Sequence, residues 1–190
     1  MEHFYNSIQG WFTYPELYKN IVQTAPSPAH FVEVGVWKGT SAAFMAVEII
    51  NSGKTIQFDC VDTWDGSEEH LDPNSGAFEP RLLGDKNWLF NTFIDNMLPV
   101  AGTYQPRRMT SLQAAQEYQD ESLDFVFIDA AHDYSNVLAD IKAWYPKTHW
   151  VLAGHDYGWS SEVRNAVHDF FDPLGLKVIE TEGCWVVYKK

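Results

Sequence analysis

The chain has 190 residues, 45% hydrophobic and 21% charged, which is the balance of one globular domain with a single sizeable core. Its net charge of −13, from 13 basic and 26 acidic residues with no basic run, argues against nucleic acid or an anionic membrane as partner and suits a small molecule or a divalent metal. No stretch reaches the ~20 apolar residues of a membrane span, residues 1–10 lack a signal-peptide pattern, and Cys60 and Cys184 form neither a zinc motif nor a disulfide framework, so a cytoplasmic protein with free buried thiols is expected.

The predicted elements alternate in type. A helix over 15–24 is ended by Pro26 and Pro28, and residues 30–36 form a short apolar strand. Helical spacing follows over 39–50, with Ala43, Ala46, Val47 and Ile50 on one face, then a strand over 55–61. Residues 65–84 break this rhythm with Gly66, Pro73, Gly76, Pro80, Gly84 and several acids; a connection this long is either a lid or a surface loop. A helix over 85–98, a weak strand over 104–107 and a helix over 111–118 with Ser111 as N-cap come next. The clearest strand is 123–128, followed by a helix over 134–145, a strand over 149–153 and a helix over 160–171. Two β runs, 177–181 and 184–188, flank a Glu182-Gly183 turn and read as an antiparallel hairpin. Such alternation predicts an α/β fold with a mostly parallel sheet, helices on both faces, and ligands outside the C-terminal strand ends.

Four strand ends carry residues with chemical potential. The first is Glu33-Val34-Gly35-Val36-Trp37-Lys38-Gly39-Thr40-Ser41, between a strand and a helix. Gly35 permits a sharp turn and a close backbone approach. The segment has G-x-x-x-G in place of the dinucleotide pattern GxGxxG, and Glu33 would repel a pyrophosphate. It suits the ammonium of an amino-acid-like ligand such as S-adenosylmethionine (SAM), or it is an ordinary turn with two glycines. Asp62, ending the second strand, either accepts the hydroxyls of a ribose or caps a turn. Asp129 to Tyr134 place a carboxylate for a metal or substrate at Asp129, a titratable imidazole at His132 that is either a general base or a surface histidine, and a helix cap at Asp133. Gly154-His155-Asp156-Tyr157 adds a second carboxylate and imidazole; this cluster is either a divalent-ion site or a polar network without an ion.

With these residues in view, 33–41 resembles motif I of the class I SAM-dependent methyltransferases. The stretch 123–134, with Asp140, Trp144, Gly154-His155-Asp156-Tyr157, Val163 and Ala166-Val167, resembles the metal-dependent sugar and natural-product O-methyltransferases of the "methyltransferase domain 24" type. The resemblance spans about 31–171 and implies a Rossmann-like doubly wound sheet of seven strands, the last antiparallel. It implies SAM contacts at Glu33, Gly35, Gly39, Ser41, Asp62, Thr110, Ser111 and Asp129, a divalent metal (Mg²⁺ or Mn²⁺) on Asp129, His155 and Asp156, and His132 as base beside Asp129. His155 stands where relatives often have an acid. The chain is expected to be one domain over 1–190, with an N-terminal arm over 1–28 and a lid over 65–84 shaping the acceptor pocket. Phe4, Tyr5, Trp11 and Phe12 suggest a homo-oligomer interface. The implied activity is O-methylation of a small-molecule hydroxyl. Two rivals are a SAM- or S-adenosylhomocysteine (SAH)-binding module without turnover, and a nicotinamide-dependent oxidoreductase, against which the missing GxGxxG counts.

Overall fold

Apolar residues on both sides of the central strands give the sheet two faces to bury, and helices cover both. The structure is a computed structural model that describes residues 1–189. Five parallel strands, β1 (Ala29–Val34), β2 (Ile56–Asp62), β3 (Gln105–Arg108), β4 (Leu123–Ile128) and β5 (Thr148–Gly154), are joined by β6 (Ile179–Thr181) and β7 (Cys184–Tyr188). The order across the sheet is β3-β2-β1-β4-β5-β7-β6, and β7 runs antiparallel to both its neighbours. The seven-stranded Rossmann-like sheet with a reversed last strand is therefore present.

Helices α1 (Pro15–Thr24), α2 (Thr40–Ser52), α3 (Glu68–Leu71), α4 (Arg81–Gly84), α5 (Trp88–Met97), α6 (Ser111–Ala115), α7 (Tyr134–Trp144) and α8 (Ser161–Phe171) complete the chain. Along β4 the side chains alternate between two cores. Phe125 and Phe127 pack with Tyr18, Ala46 and Phe93 from α1, α2 and α5. Val126 and Ile128 pack with Ile141 and Val167 from α7 and α8. Burying each such side chain contributes about 2 kcal/mol. Because β2 and β4 flank β1 on opposite sides, the chain reverses direction across the sheet there. The crevice between the C-terminal ends of β1 and β4 is the topological switch point.

The boundaries differ from expectation at a few places. β1 ends at Val34 because Gly35 takes a left-handed φ of 87° and leaves the ladder. The helix after β3 stops at Ala115, and its N-cap is Thr110 in place of Ser111. Thr110 accepts the Gln113 N–H at 3.3 Å, and the Gln113 side chain reaches back to Thr110, a reciprocal box that Ser111 is one residue too late to form. Of the N-terminal aromatics, Phe4, Tyr5 and Phe12 pack on the protein's own core, and Trp11 alone is largely exposed. They do not form a free apolar patch, because Phe44 of α2 sits within 5.3 Å of the Tyr5 and Phe12 rings. No helix among the described residues is long and apolar enough to cross a membrane.

Candidate functional site

The site begins at the turn after β1. A side chain at Gly35 would place its Cβ 2.0 Å from the Asp129 carbonyl oxygen, so only glycine lets the ends of β1 and β4 approach. Trp37, two residues on, also has positive φ, at 48°, a conformation that needs external support in a non-glycine residue. Asp62 supplies it. Its carboxylate accepts the N–H groups of Val36 at 3.0 Å, Trp37 at 2.9 Å and Trp64 at 2.7 Å. Burial raises the Asp62 pKa, and these backbone donors oppose the rise. Asp62 thus faces the crevice where a ribose contact would need it, while also stapling the turn.

A cavity of about 740 Å³ opens over the turn. Its lining includes Gly35, Ser41 and Asp62, Thr110, Ser111 and Asp140, and Asp129, His132, His155 and Asp156. Segments that carried no motif close it: Gly10 and Trp11 from the N-terminal arm, and Gly66, Ser67, Glu69, His70 and Ala77 from the long loop. Eight of the ten side-chain or glycine positions expected at a cofactor or metal therefore meet in one wall, joined by His132.

Glu33 and Gly39 stand outside the lining. Gly39 turns toward α5, where a Cβ would sit 3.1–3.2 Å from Phe93 and Met97, so its glycine serves helix packing. Glu33 lies beneath the wall, because alternation along β1 sends it to the same face as Phe31, toward α1 and α2. The Ser41 hydroxyl donates to Glu33 Oε1, and the buried Oε2 has no partner. Burial pushes the Glu33 pKa up to about 8, with the Ser41 bond opposing it. Ser111 is also committed: its hydroxyl donates to Asp140 at 2.5 Å and accepts the Trp144 indole N–H at 2.8 Å.

At the ends of β4 and β5, Asp129, His132 and Asp156 each offer a ligand atom within 4.8 Å of the others. His132 Nε2 lies 3.0 Å from Asp156 Oδ2 and 3.7 Å from Asp129 Oδ1. The two neighbouring carboxylates raise its pKa to about 10, against a smaller burial effect. The imidazole thus lies beside two carboxylates that favour its protonated form. His155 was expected as a ligand; its Nδ1 stands 3.7 Å from Asp129 and 3.6 Å from Asp156, at the edge of the cluster. Burial lowers the His155 pKa but the carboxylates outweigh it, leaving it at about 9. Burial would raise both aspartates, and the two imidazoles hold both below the ordinary carboxylate range, Asp156 far below. Hard carboxylate oxygens with imidazole nitrogen at this spacing fit a divalent ion.

Three further residues orient this cluster. The Tyr14 hydroxyl, fully buried, donates to Asp129 Oδ2 at 3.0 Å. Thr13 Oγ1 contacts His155 Nε2 at 3.2 Å. The Trp159 indole donates to Asp156 Oδ1 at 2.6 Å, leaving Oδ2 to face His132. Each sits far in sequence from its partner or, as with Trp159, beyond a turn whose path is set by positive φ at Asp156, so spacing alone could not find them.

The loop 65–84 is a built wall. Ser67 caps α3, with His70 Nδ1 accepting its N–H at 3.1 Å, and the His70 ring stacks on Trp37 with centroids 4.0 Å apart. Burial lowers the His70 pKa. The loop is tied to the β1 turn by a buried ion pair, Lys38 Nζ to Glu79 Oε2 at 3.1 Å. Glu79 also binds Arg81, whose guanidinium lies 4.2 Å from the centre of the Trp88 ring. The loop is therefore anchored beside the cavity to whose wall it contributes.

A family model described as "Methyltransferase domain" matches residues 32–157, two-thirds of the chain. Among solved structures the chain is similar to the O-methyltransferase NovP, at 14% identity and a TM-score of 0.65, covering 93% of this chain and 79% of that one. It is similar to an O-methyltransferase from Bacillus cereus solved with SAH, at 16% identity and 0.61, covering 96% and 84%. A Staphylococcus aureus protein described as a candidate caffeoyl-CoA O-methyltransferase gives 12% identity and 0.66, covering 97% and 87%. At these identities the likeness establishes the fold. No curated protein matches the sequence.

Proposed function

Because the chain belongs to the methyltransferase-domain family, we propose that it transfers the methyl group of SAM to a hydroxyl of a small molecule, assisted by a divalent cation at Asp129 and Asp156. The observation that carries this reading is one shared cavity that joins the glycine turn to the Asp129–His132–Asp156 cluster. The buried Oε2 of Glu33, beneath Ser41, has no partner, and the ammonium of an amino-acid-like cofactor would supply the donor it lacks. The cluster suits a cation, since two carboxylates and an imidazole each offer a ligand atom within 4.8 Å of the others.

SAM supplies an electrophilic methyl on sulfonium, and a divalent ion lowers the pKa of a bound hydroxyl. The chain's own residues do the rest. The Gly35 turn admits the cofactor to the backbone, and Asp62 holds that turn. Tyr14 and Trp159 fix the two aspartates. The loop 65–84 and Trp11 contribute to the wall that would hold acceptor and cofactor side by side. A cation held by Asp129 and Asp156 would weaken their pull on His132, whose Nε2 would then be placed to accept the hydroxyl proton.

The test is twofold. SAH should bind in calorimetry while NAD does not. Asp156→Ala should lose metal-dependent methylation at any Mg²⁺ or Mn²⁺ concentration; if this variant methylates normally in EDTA, the cation role is wrong. The His132–Asp156 pair at 3.0 Å favours one alternative, a SAH-binding module without turnover. SAH binding without methylation of any hydroxyl compound in a broad panel selects that alternative.

A further inference from the structure

The charge of the cavity wall bears on the acceptor, an inference that rests on the methyltransferase reading. Among the described residues no Lys or Arg lines the cavity, and its charged groups other than histidine are five carboxylates. Four of these have work within the wall. Asp62 holds three backbone N–H groups, Asp140 accepts the Ser111 hydroxyl, and Asp129 and Asp156 belong to the imidazole cluster.

Glu69 differs. It is brought in by α3 of the lid, and its side chain is 47% exposed. Its Oε1 stands 3.7 Å from His132 Nδ1, too far for a hydrogen bond, and receives only a long 3.4 Å contact from the Ser67 hydroxyl. The lid thus brings an incompletely paired negative charge beside the ring proposed to take the acceptor's proton. Trp11, 68% exposed and also lining the cavity, offers a flat apolar face at its mouth. An indole face favours a cation as well as a ring.

A phosphate, carboxylate or coenzyme A arm on the acceptor would confront Glu69, while the imidazoles of the wall, His132 and His155, are already shared by Asp129 and Asp156. The cavity of about 740 Å³ must also hold the cofactor, so the acceptor is compact. We propose that the acceptor is a small hydroxylated amine whose ammonium pairs with Glu69 while its ring lies against Trp11.

Two matched sets of probes test this, titrated calorimetrically into the protein saturated with SAH. One is dopamine, 4-methylcatechol and 3,4-dihydroxyphenylacetate; the other is glucosamine, glucose and glucuronate. In at least one set the amine should bind tightest and the acid weakest, about tenfold apart, as an attraction is exchanged for a repulsion. Glu69→Gln should bring amine and acid to within about twofold of each other while SAH affinity stays unchanged. The proposal is overturned if no probe binds, if the acid matches the amine in both sets, or if the charge preference survives in Glu69→Gln. It is equally overturned if Glu69→Gln weakens SAH, since Glu69 then serves the cofactor. Failure of SAH to bind the unaltered protein is read first, and it removes the methyltransferase reading instead.

Discussion

Glu33 and Trp159 show how far a residue's neighbours change its chemistry. Glu33 is a fully buried carboxyl with a pKa raised to about 8 from an ordinary value of 4.5. A carboxyl that holds its proton more tightly folded than unfolded gives most stability at low pH, and loses it as pH rises from about 4.5 to about 8. Glu33→Gln has no proton to lose. Its melting temperature relative to the wild type should therefore climb between pH 5 and pH 9 in calorimetric scans, while SAH affinity drops. A difference that stays flat with pH would show that Glu33 is not buried as a neutral acid. Trp159 was not visible as a site residue because a surface indole after Asp156-Tyr157-Gly158 has no pattern to mark it. Its bond to Asp156 Oδ1 fixes the side that faces His132. Removing such an orienting partner costs about tenfold or more in metal affinity, so Trp159→Phe should weaken Mn²⁺ binding by that amount in calorimetry, without loss of fold.

Among the elements, the strands and helices with strong periodicity could be read directly, because β4 buries both faces and α1, α2, α7 and α8 repeat their apolar residues every three or four positions. The long loop could not. Its two one-turn helices are too short to leave a period, and what orders them is remote: Lys38 from the β1 turn paired with Glu79, and Trp88 under Arg81. Glu79 has its pKa lowered to about 2, first by Arg81 and then by Lys38 against burial, so this anchoring is intact above pH ~4.5 and fails only as pH falls through about 2. Glu79→Ala should leave the buried Lys38 ammonium without a countercharge, held only by Gln9 at 2.7 Å and nearby rings, at a cost of about 3 kcal/mol. Denaturant titration should report that loss, and hydrogen exchange should report faster amide exchange confined mainly to 65–84. Unchanged protection there would mean that the ion pair does not hold the lid.

For the molecule as a whole, a ligand that binds only the folded state stabilises it by about 2.7 kcal/mol at a hundredfold excess over Kd. In a domain of this size that amounts to a rise of roughly 5–10 °C in Tm, so SAH at such excess should produce it in a thermal-shift assay and NAD should produce none. The amino-acid sequence by itself determined the α/β alternation, the switch-point crevice, and the residues Gly35, Asp62, Asp129, His132 and Asp156 at its rim, because strand period and strand-end position are local properties of the chain. Only the tertiary structure decided that Asp62 staples the turn and that Glu33 lies under the wall. It alone showed that His132 lies between two carboxylates, that Tyr14 and Trp159 bond those carboxylates, and that Lys38 ties the loop carrying Glu69 to the β1 turn. The reason is physical: burial and charge pairing depend on which distant residues meet, and a pKa or a hydrogen bond exists only once they have.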